Sequence, residues 1–418
     1  IRSFHDGMVG RVFDNGCLSD PFEVTNGTKQ GCVMAPLLFS LVFAAVLEDA
    51  FTECDIGVKI RFRSDGSIFN LRRLKAKTKT STMVLRELLY ADDCALIAHS
   101  LEDAQCLVDA FSRATTRFGL SISIAKTEVL HQPKPGSLPN TETISVDDEP
   151  LKSVDKFCYL GGTISQNARI DDEVAARISK ASSSFGRLQH RVWSDHGIRL
   201  STKINVYRAV VVSTLLYGCE TWTTYRAHIK KLEQFHHHCL RKICGITWKD
   251  KVPNTDVLKK CKISSIECLI TESQLRWAGH VARMDQTRIP KALLFGELQV
   301  GKRACGGQRK RFKDVLKATL KSYNIAPESW ELKAQTRSEW RRACKKGAQA
   351  FESRRTADLE AKRQRRHDAQ STGNQNRPPQ QRSLPSSSST STHLHVCSDC
   401  GQLCASRIGL ISHRRHRH

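Results

Sequence analysis

The chain has 418 residues, enough for two or three domains at roughly 100–200 residues each, and carries 66 Lys and Arg against 42 Asp and Glu, a formal charge of +24. That imbalance points to a polyanionic partner. A membrane-spanning helix is excluded, because the longest mostly apolar run, Val33 to Leu47, is shorter than the roughly 20 residues needed and contains Pro36 and Ser40.

The opening Ile1-Arg2-Ser3-Phe4-His5-Asp6 has neither a charged leader nor the apolar stretch of a secretory signal, and the chain reads as a fragment of a longer protein. Of 16 Cys, those from Cys17 to Cys344 are scattered singly through a large basic chain, so reduced thiols are expected. Leu37 to Phe51 is predicted as a helix with a broad apolar face. Met83 to Leu89 and Cys94 to Ala98 are predicted as two strands joined by a tight polar turn. In Leu101 to Phe118, apolar Leu101, Ala104, Leu107, Val108, Phe111, Ala114 and Phe118 recur three or four apart, the spacing of a helix face.

From Asp172 to about Leu332 the pattern is mostly helical. Val174, Ile178, Ala181, Phe185 and Leu188 mark one face, and Ile204, Tyr207, Val211 and Leu215 another. An α+β domain followed by a helical one fits this order. Within Arg341 to Arg366, ten Lys or Arg stand against three acids, which suits either a solvated helix face or a phosphate-binding arm. Gln370 to Thr392 is almost entirely Ser, Thr, Gln, Asn and Pro; it cannot bury enough surface to fold and is expected to be a flexible linker.

Tyr90-Ala91-Asp92-Asp93 lies between the two predicted strands, so the chain reverses there and projects adjacent carboxylates from a hairpin tip. Two neighbouring acids repel unless a cation neutralises them, which suits a hard divalent ion with oxygen ligands. The bland alternative is a plain turn, where Asp is favoured anyway. About 60 residues upstream, Gly27-Thr28-Lys29-Gln30-Gly31-Cys32-Val33-Met34-Ala35-Pro36-Leu37-Leu38-Phe39 offers a glycine-flanked Lys and Gln on a loop feeding a helix, where backbone amides and Lys29 could meet phosphates. Downstream stand Gly119-Leu120-Ser121-Ile122-Ser123-Ile124-Ala125-Lys126-Thr127-Glu128 and Phe157-Cys158-Tyr159-Leu160-Gly161-Gly162.

With these four motifs in order, the chain resembles the reverse transcriptase of non-LTR (LINE-type) retrotransposons over about residues 1–345. The segment Leu275 to Met284 and the stretch Gly306 to Leu316 look like the helical region that follows the palm in these elements. The resemblance implies a partial right-hand palm over 1–170 and a helical thumb and C-terminal region over 171–332; charge, composition and Cys/His spacing add a basic helical arm over 333–369, the linker over 370–392 and a zinc finger over 393–418. By the same resemblance, Asp92 and Asp93 would bind Mg²⁺ or Mn²⁺. Gln30 and Gly31 would meet nucleotide and template, Lys126 would lie near the incoming triphosphate, and Leu160 with Gly161 would form the primer grip.

The implied partners are an RNA template and a DNA primer or target, the implied location is nuclear, and no membrane is involved. The implied chemistry is two-metal nucleotidyl transfer. In the family a third carboxylate lies upstream of the Gln-Gly motif, in an Asp-x-x-x-Ala-Phe-Asp setting. Asp6, Asp14 and Asp20 lack that setting, so the chain by itself is expected not to polymerise DNA. Ala35 stands where many relatives carry Ser.

At the C-terminus, Cys397, Cys400, His413 and His418 follow Cys-x₂-Cys-x₁₂-His-x₄-His, within zinc-finger spacing, with a short helix expected over about Ala405 to His416. His416 is an alternative fourth ligand and Cys404 a spare thiol. Arg407, Arg414, Arg415 and Arg417 would face nucleic acid. His236-His237-His238-Cys239 with Cys244 invites a second metal site, but consecutive His on a helix diverge, and Leu232, Phe235, Cys239, Leu240 and Ile243 mark a packing face, so a structural role is expected. Trp193, Trp222, Trp248, Trp277, Trp330 and Trp340 are expected in the core. Three readings remain open: a truncated polymerase, a non-catalytic zinc-dependent nucleic-acid binder, and an unstable remnant.

Overall fold

In a computed structural model of the chain, the described residues are 2–25, 27, 32–133, 143–300, 310–375, 395–400, 402–404 and 413. Gln30, Gly31 and His418 therefore lie outside them, as do His416 and most of the helix expected between Ala405 and His416. The chain divides into two units, Ile1–Asp358 and Leu359–His418. No helix among the described residues is long and apolar enough to cross a membrane.

After one helical turn, Arg2–His5, the first unit has two small ribbons, Val9–Gly10 on Phe22–Glu23 and Phe13–Asp14 on Cys17–Leu18. Helix α1 (Ala35–Phe51) follows, started by Pro36, whose ring presets a helical φ where no intrahelical N–H bond is needed. It buries Phe43, Val46 and Phe51 while Leu37, Leu41 and Val42 stay exposed.

Strand β1 (Val58–Phe62) pairs antiparallel with β2 (Ser81–Leu85), Ile60 opposite Met83. Alternation turns Ile60 and Phe62 to the interior. The structure differs from the single strand expected over Met83 to Leu89. Arg86 interrupts it by donating to the carbonyls of Phe51 and Cys54 at the end of α1, so the chain changes partner there. Beyond Arg86, β3 (Glu87–Tyr90) pairs only with β4 (Asp93–Leu96), as a separate hairpin.

Helix α2 (Leu101–Arg117) is capped by Ser100, whose hydroxyl accepts from the Asp103 N–H at 3.0 Å, and Glu102 and Asp103 sit where the helix dipole favours acids. It packs on α1, with Leu107 and Val46 fully buried, Phe51 stacked on Phe111 and Arg117 paired with Asp49 at 2.7 Å. A short parallel pairing of Glu128–Val129 with Lys152–Ser153 then leads to the hairpin β5 (Lys156–Tyr159) and β6 (Gly162–Ser165).

The helical part begins with α3 (Asp171–Arg187) and α4 (Leu200–Val206), the latter continuing through a π-helical stretch, Tyr207–Val212, to Ser213–Leu215. Val174, Ala181, Phe185, Ile204, Tyr207, Val211 and Leu215 are buried in one core with Trp193 and Trp222, so both expected helix faces point inward. Helix α5 (Arg226–Cys244) ends at Gly245 in the left-handed region, which glycine adopts without steric cost. It is followed by α6 (Asn254–Cys261) and α7 (Ile266–Ala282).

On α5, His236 and His237 are buried and His238 is exposed. The Tyr207 hydroxyl lies 2.9 Å from His236 Nδ1, and His237 Nε2 lies 3.0 Å from a Glu233 carboxylate oxygen. Arg355 reaches the same carboxylate at 3.0 Å, and the Glu267 N–H donates to it at 3.3 Å. The His run thus serves an internal polar network between α5, α7 and the last long helix. Burial raises the Glu233 carboxyl, but His237 and Arg355 outweigh it and hold the group below its ordinary range.

Past α8 (Ile289–Phe295), strand β7 (Gly296–Leu298) lies within the stretch expected to be mostly helical. It pairs with β1, giving a sheet of order β7-β1-β2. A second core gathers Leu275, Ala278, Leu316, Leu320, Trp330 and Trp340 from α7, α9 (Phe312–Ser322), α10 (Trp330–Gln335) and α11 (Arg337–Gln375). Trp248 departs from the expected core role: it is 83% exposed, because its short 3-10 turn, Trp248–Asp250, projects beyond the end of α5.

Helix α11 continues past residue 370 to Gln375, further than composition suggested. In the second unit, β8 (His395–Val396) pairs with β9 (Leu403–Cys404) around a knuckle in which the Cys397 N–H donates to the Gln402 carbonyl at 2.9 Å.

Candidate functional site

The β3–β4 register sets Tyr90 opposite Asp93, leaving Ala91 and Asp92 as a two-residue turn. Ala91 takes a φ of +53°, a left-handed conformation costing a non-glycine residue roughly 1–2 kcal/mol. Strained backbone of this kind is retained where surrounding structure enforces it, and it concentrates at functional turns. The result is an exposed tip carrying both carboxylates. Side by side and oxygen-rich, they suit a hard divalent cation. Among the described residues no third His, Cys, Asp or Glu joins them in a cluster able to hold a metal.

The second hairpin stands against the first. The Tyr159 hydroxyl donates to the Leu88 carbonyl at 3.1 Å, and burial, with Cys94 and Asp93 nearby, pushes its phenol above the ordinary range. Burial also pushes the Cys94 thiol up to about 11, with Glu87 adding to it, so Cys94 stays protonated beneath the tip. Tyr159 opposite Gly162 leaves Leu160 and Gly161 as the turn, at φ of +47° and +79°. Two consecutive positive φ values are the signature of a type I′ hairpin turn.

Residues that sequence reasoning did not single out hold this turn. Tyr217 donates to the Leu160 carbonyl at 2.9 Å, and Arg177 donates to the Gly161 carbonyl. Glu173 pairs with Arg177 at 2.6 Å while accepting the Thr163 N–H at 2.7 Å, and the Arg177 guanidinium lies 4.4 Å from the centre of the Tyr217 ring. The four-residue spacing of Glu173 and Arg177 was visible as a helix ion pair. Its burial, with side chains 6–7% exposed, was not.

The structure ties the hairpin of Leu160 and Gly161 to the hairpin of Asp92 and Asp93 through the Tyr159–Leu88 bond. Lys126 is exposed on the 3-10 turn Ile124–Lys126, and among the described residues no ion pair joins it to either aspartate. Gln30 and Gly31 lie outside the described residues.

In the second unit, donor atoms of Cys397, Cys400 and His413 lie within 4.8 Å of one another, with Cys400 Sγ 3.0 Å from His413 Nε2 and Cys397 buried. Bond lengths of about 2.3 Å to sulfur and 2.0–2.1 Å to nitrogen put tetrahedral zinc ligands about 3.6 Å apart, so two thiols and an imidazole gathered this closely fit zinc.

Of the basic residues in Arg341 to Arg366, Arg341, Arg342, Lys345 and Lys346 are exposed on α11. Arg355 is turned inward to Glu233 and Glu267, and Arg354 donates to the Ser322 carbonyl.

Residues 1–164 match the family model described as reverse transcriptase (RNA-dependent DNA polymerase). The chain is 25% identical over 268 residues to a transposon-derived protein of Caenorhabditis elegans, covering 61% of this chain and 94% of that protein. It is 20% identical over 255 residues to the RNA-directed DNA polymerase from mobile element jockey of Drosophila funebris, 59% of this chain but 25% of that protein. The RNA-directed DNA polymerase assigned to transposon X-element of Drosophila melanogaster is also 20% identical, over 301 residues, 70% of this chain and 29% of that protein. The chain thus spans between a quarter and a third of the two polymerases, and its first 164 residues are similar to a reverse transcriptase domain.

Proposed function

We propose that the chain is part of a retrotransposon RNA-directed DNA polymerase, holding the Asp92–Asp93 half of the metal site and the Leu160–Gly161 turn that grips the primer strand. The observation that carries this reading is the Tyr159–Leu88 hydrogen bond, which joins the strand entering the turn to the strand leading to the carboxylate tip, inside the matched region. Asp92 and Asp93 would hold Mg²⁺ or Mn²⁺, which supplies activation of a primer 3′-hydroxyl and stabilisation of the leaving pyrophosphate. The chain's own residues orient the strand end and carry the opposing negative charge. Gln30, Gly31 and Lys126 would meet template and nucleotide in the complete enzyme, which would act in the nucleus.

Two carboxylates do not complete a two-metal site, and among the described residues no third stands with them, so the chain alone is proposed to be inactive. Primer extension on a homopolymer RNA template with Mg²⁺ or Mn²⁺ tests this. The expected result is no incorporation; incorporation abolished by Asp92→Ala would overturn the inactivity and keep the site.

A second reading is favoured by the cysteine and histidine cluster together with the exposed cations of α11. In it Cys397, Cys400, His413 and His418 bind zinc, and the finger with the basic arm binds nucleic acid without catalysis. Zinc content of the full chain and salt-sensitive RNA or DNA binding, both lost on Cys397→Ser, would support it. Binding indifferent to that substitution would remove the finger from the interface.

A further inference from the structure

We infer that Arg177 and Tyr217, with Glu173 behind them, are positioning residues that orient the Leu160–Gly161 turn toward a phosphate of the bound strand. This rests on the reading of that turn as the primer contact.

A type I′ turn leaves two central peptide groups to be satisfied, and each carries one donor and one acceptor. Here both acceptors are taken from the helical side: the Leu160 carbonyl by the Tyr217 hydroxyl, the Gly161 carbonyl by Arg177. Among the described residues neither the Leu160 nor the Gly161 N–H donates to a partner. Donors alone are therefore left to the turn, and N–H groups facing a strand meet phosphate oxygens.

Glu173 neutralises the buried Arg177 cation, so Arg177 acts on the turn by fixing its carbonyl rather than by adding charge. Its own geometry is fixed three ways, by the Glu173 carboxylate, the Gly161 carbonyl and the Tyr217 ring face. Glu173 in turn holds the first residue after Gly162 through the Thr163 N–H. The turn is thus tied to α3 and to the end of the 200–215 helical segment, and through Tyr159 to the strand leading to Asp92. A shift of the helical part would move the strand contact and the carboxylate tip together.

The test uses the full chain and an RNA–DNA primer–template whose primer carries 4-thiothymidine at its 3′ end. Photo-crosslinking is mapped by mass spectrometry and hybrid affinity is measured in parallel. Tyr217→Phe keeps the ring over Arg177 and removes only the hydroxyl, and at 52% exposure it leaves the core untouched. Arg177→Lys keeps the charge and loses the fork.

The expected result is a crosslink within residues 156–166 that falls about fivefold in Tyr217→Phe, the loss of one hydrogen bond, and further in Arg177→Lys, with hybrid affinity within twofold of the parent. Hydrogen exchange at the Leu160 and Gly161 amides should rise in both variants. A parent crosslink at 156–166 that both variants retain in full overturns the positioning role and leaves the primer contact standing. A parent chain that binds the hybrid but crosslinks elsewhere, or does not bind it, overturns the primer reading and this inference with it.

Discussion

Tyr159 donates its hydroxyl to the Leu88 carbonyl across 3.1 Å, and this one bond couples two hairpins that share no strand pairing. An isolated two-stranded hairpin is marginal in water, so β3–β4 depends on such lateral ties. Tyr159→Phe should cost about 1 kcal/mol and raise hydrogen exchange in residues 87–96 and 156–165 without changing exchange in α5 or α7. Unchanged protection in both hairpins would show that the bond does not couple them.

His236 predicts an acid-sensitive fold. Burial, with His237 nearby, lowers its imidazole to about 3, against about 6.5 in an unfolded chain. Between those values the unfolded state holds the extra proton, so stability is lost as pH falls from about 6.5 toward 3. The slope approaches about 1.4 kcal/mol per pH unit from this group. The urea midpoint, followed by tryptophan fluorescence from pH 7.5 to 4.5, should fall more steeply in the parent than in His236→Gln. Parallel curves would count against a neutral buried imidazole.

Gly279 on α7 lies against Trp340 of α11: a Cβ there would come within 2.1 Å of the indole Nε1, which itself donates to the Leu275 carbonyl at 3.0 Å. Gly279→Ala removes a helix-weakening glycine yet should destabilise by about 1–3 kcal/mol or more, because the indole must leave its partner to make room. Calorimetric unfolding decides the sign. A higher melting temperature would mean that α11 yields at no cost.

The cations of α11 separate into two kinds. Lys345 and Lys346 are exposed, and changing both to Ala should reduce the slope of log K against log salt for RNA binding by about two, with little effect on stability. Arg355 is half-buried in the Glu233 and Glu267 pairs. Arg355→Ala should cost about 3–5 kcal/mol by stranding a buried carboxylate, and should leave the salt slope nearly unchanged. The two measurements exchanging roles would refute the assignment.

Much of this was written in the linear chain. Helix faces such as Val174, Ala181 and Phe185, the turn placing Asp92 and Asp93 at a tip, and the close sequence spacing of Cys397 and Cys400 all follow from local periodicity, because side-chain direction repeats every 3.6 or two residues. What the sequence could not settle depends on partners far along the chain. Arg86 splits one apolar run into two strands because its guanidinium finds the carbonyls at the end of α1. Gly296–Leu298 becomes a strand because β1 offers it an edge. Arg177 and Tyr217 are ordinary residues of a helical pattern until packing sets them under Leu160 and Gly161, and the His run, read from sequence as structural, gains its polar partners only where Glu233 and Arg355 meet it. Local sequence determined which elements form and which chemistry their tips carry. Only the tertiary structure decided which polar groups are desolvated together, since desolvation is a property of the whole packed neighbourhood.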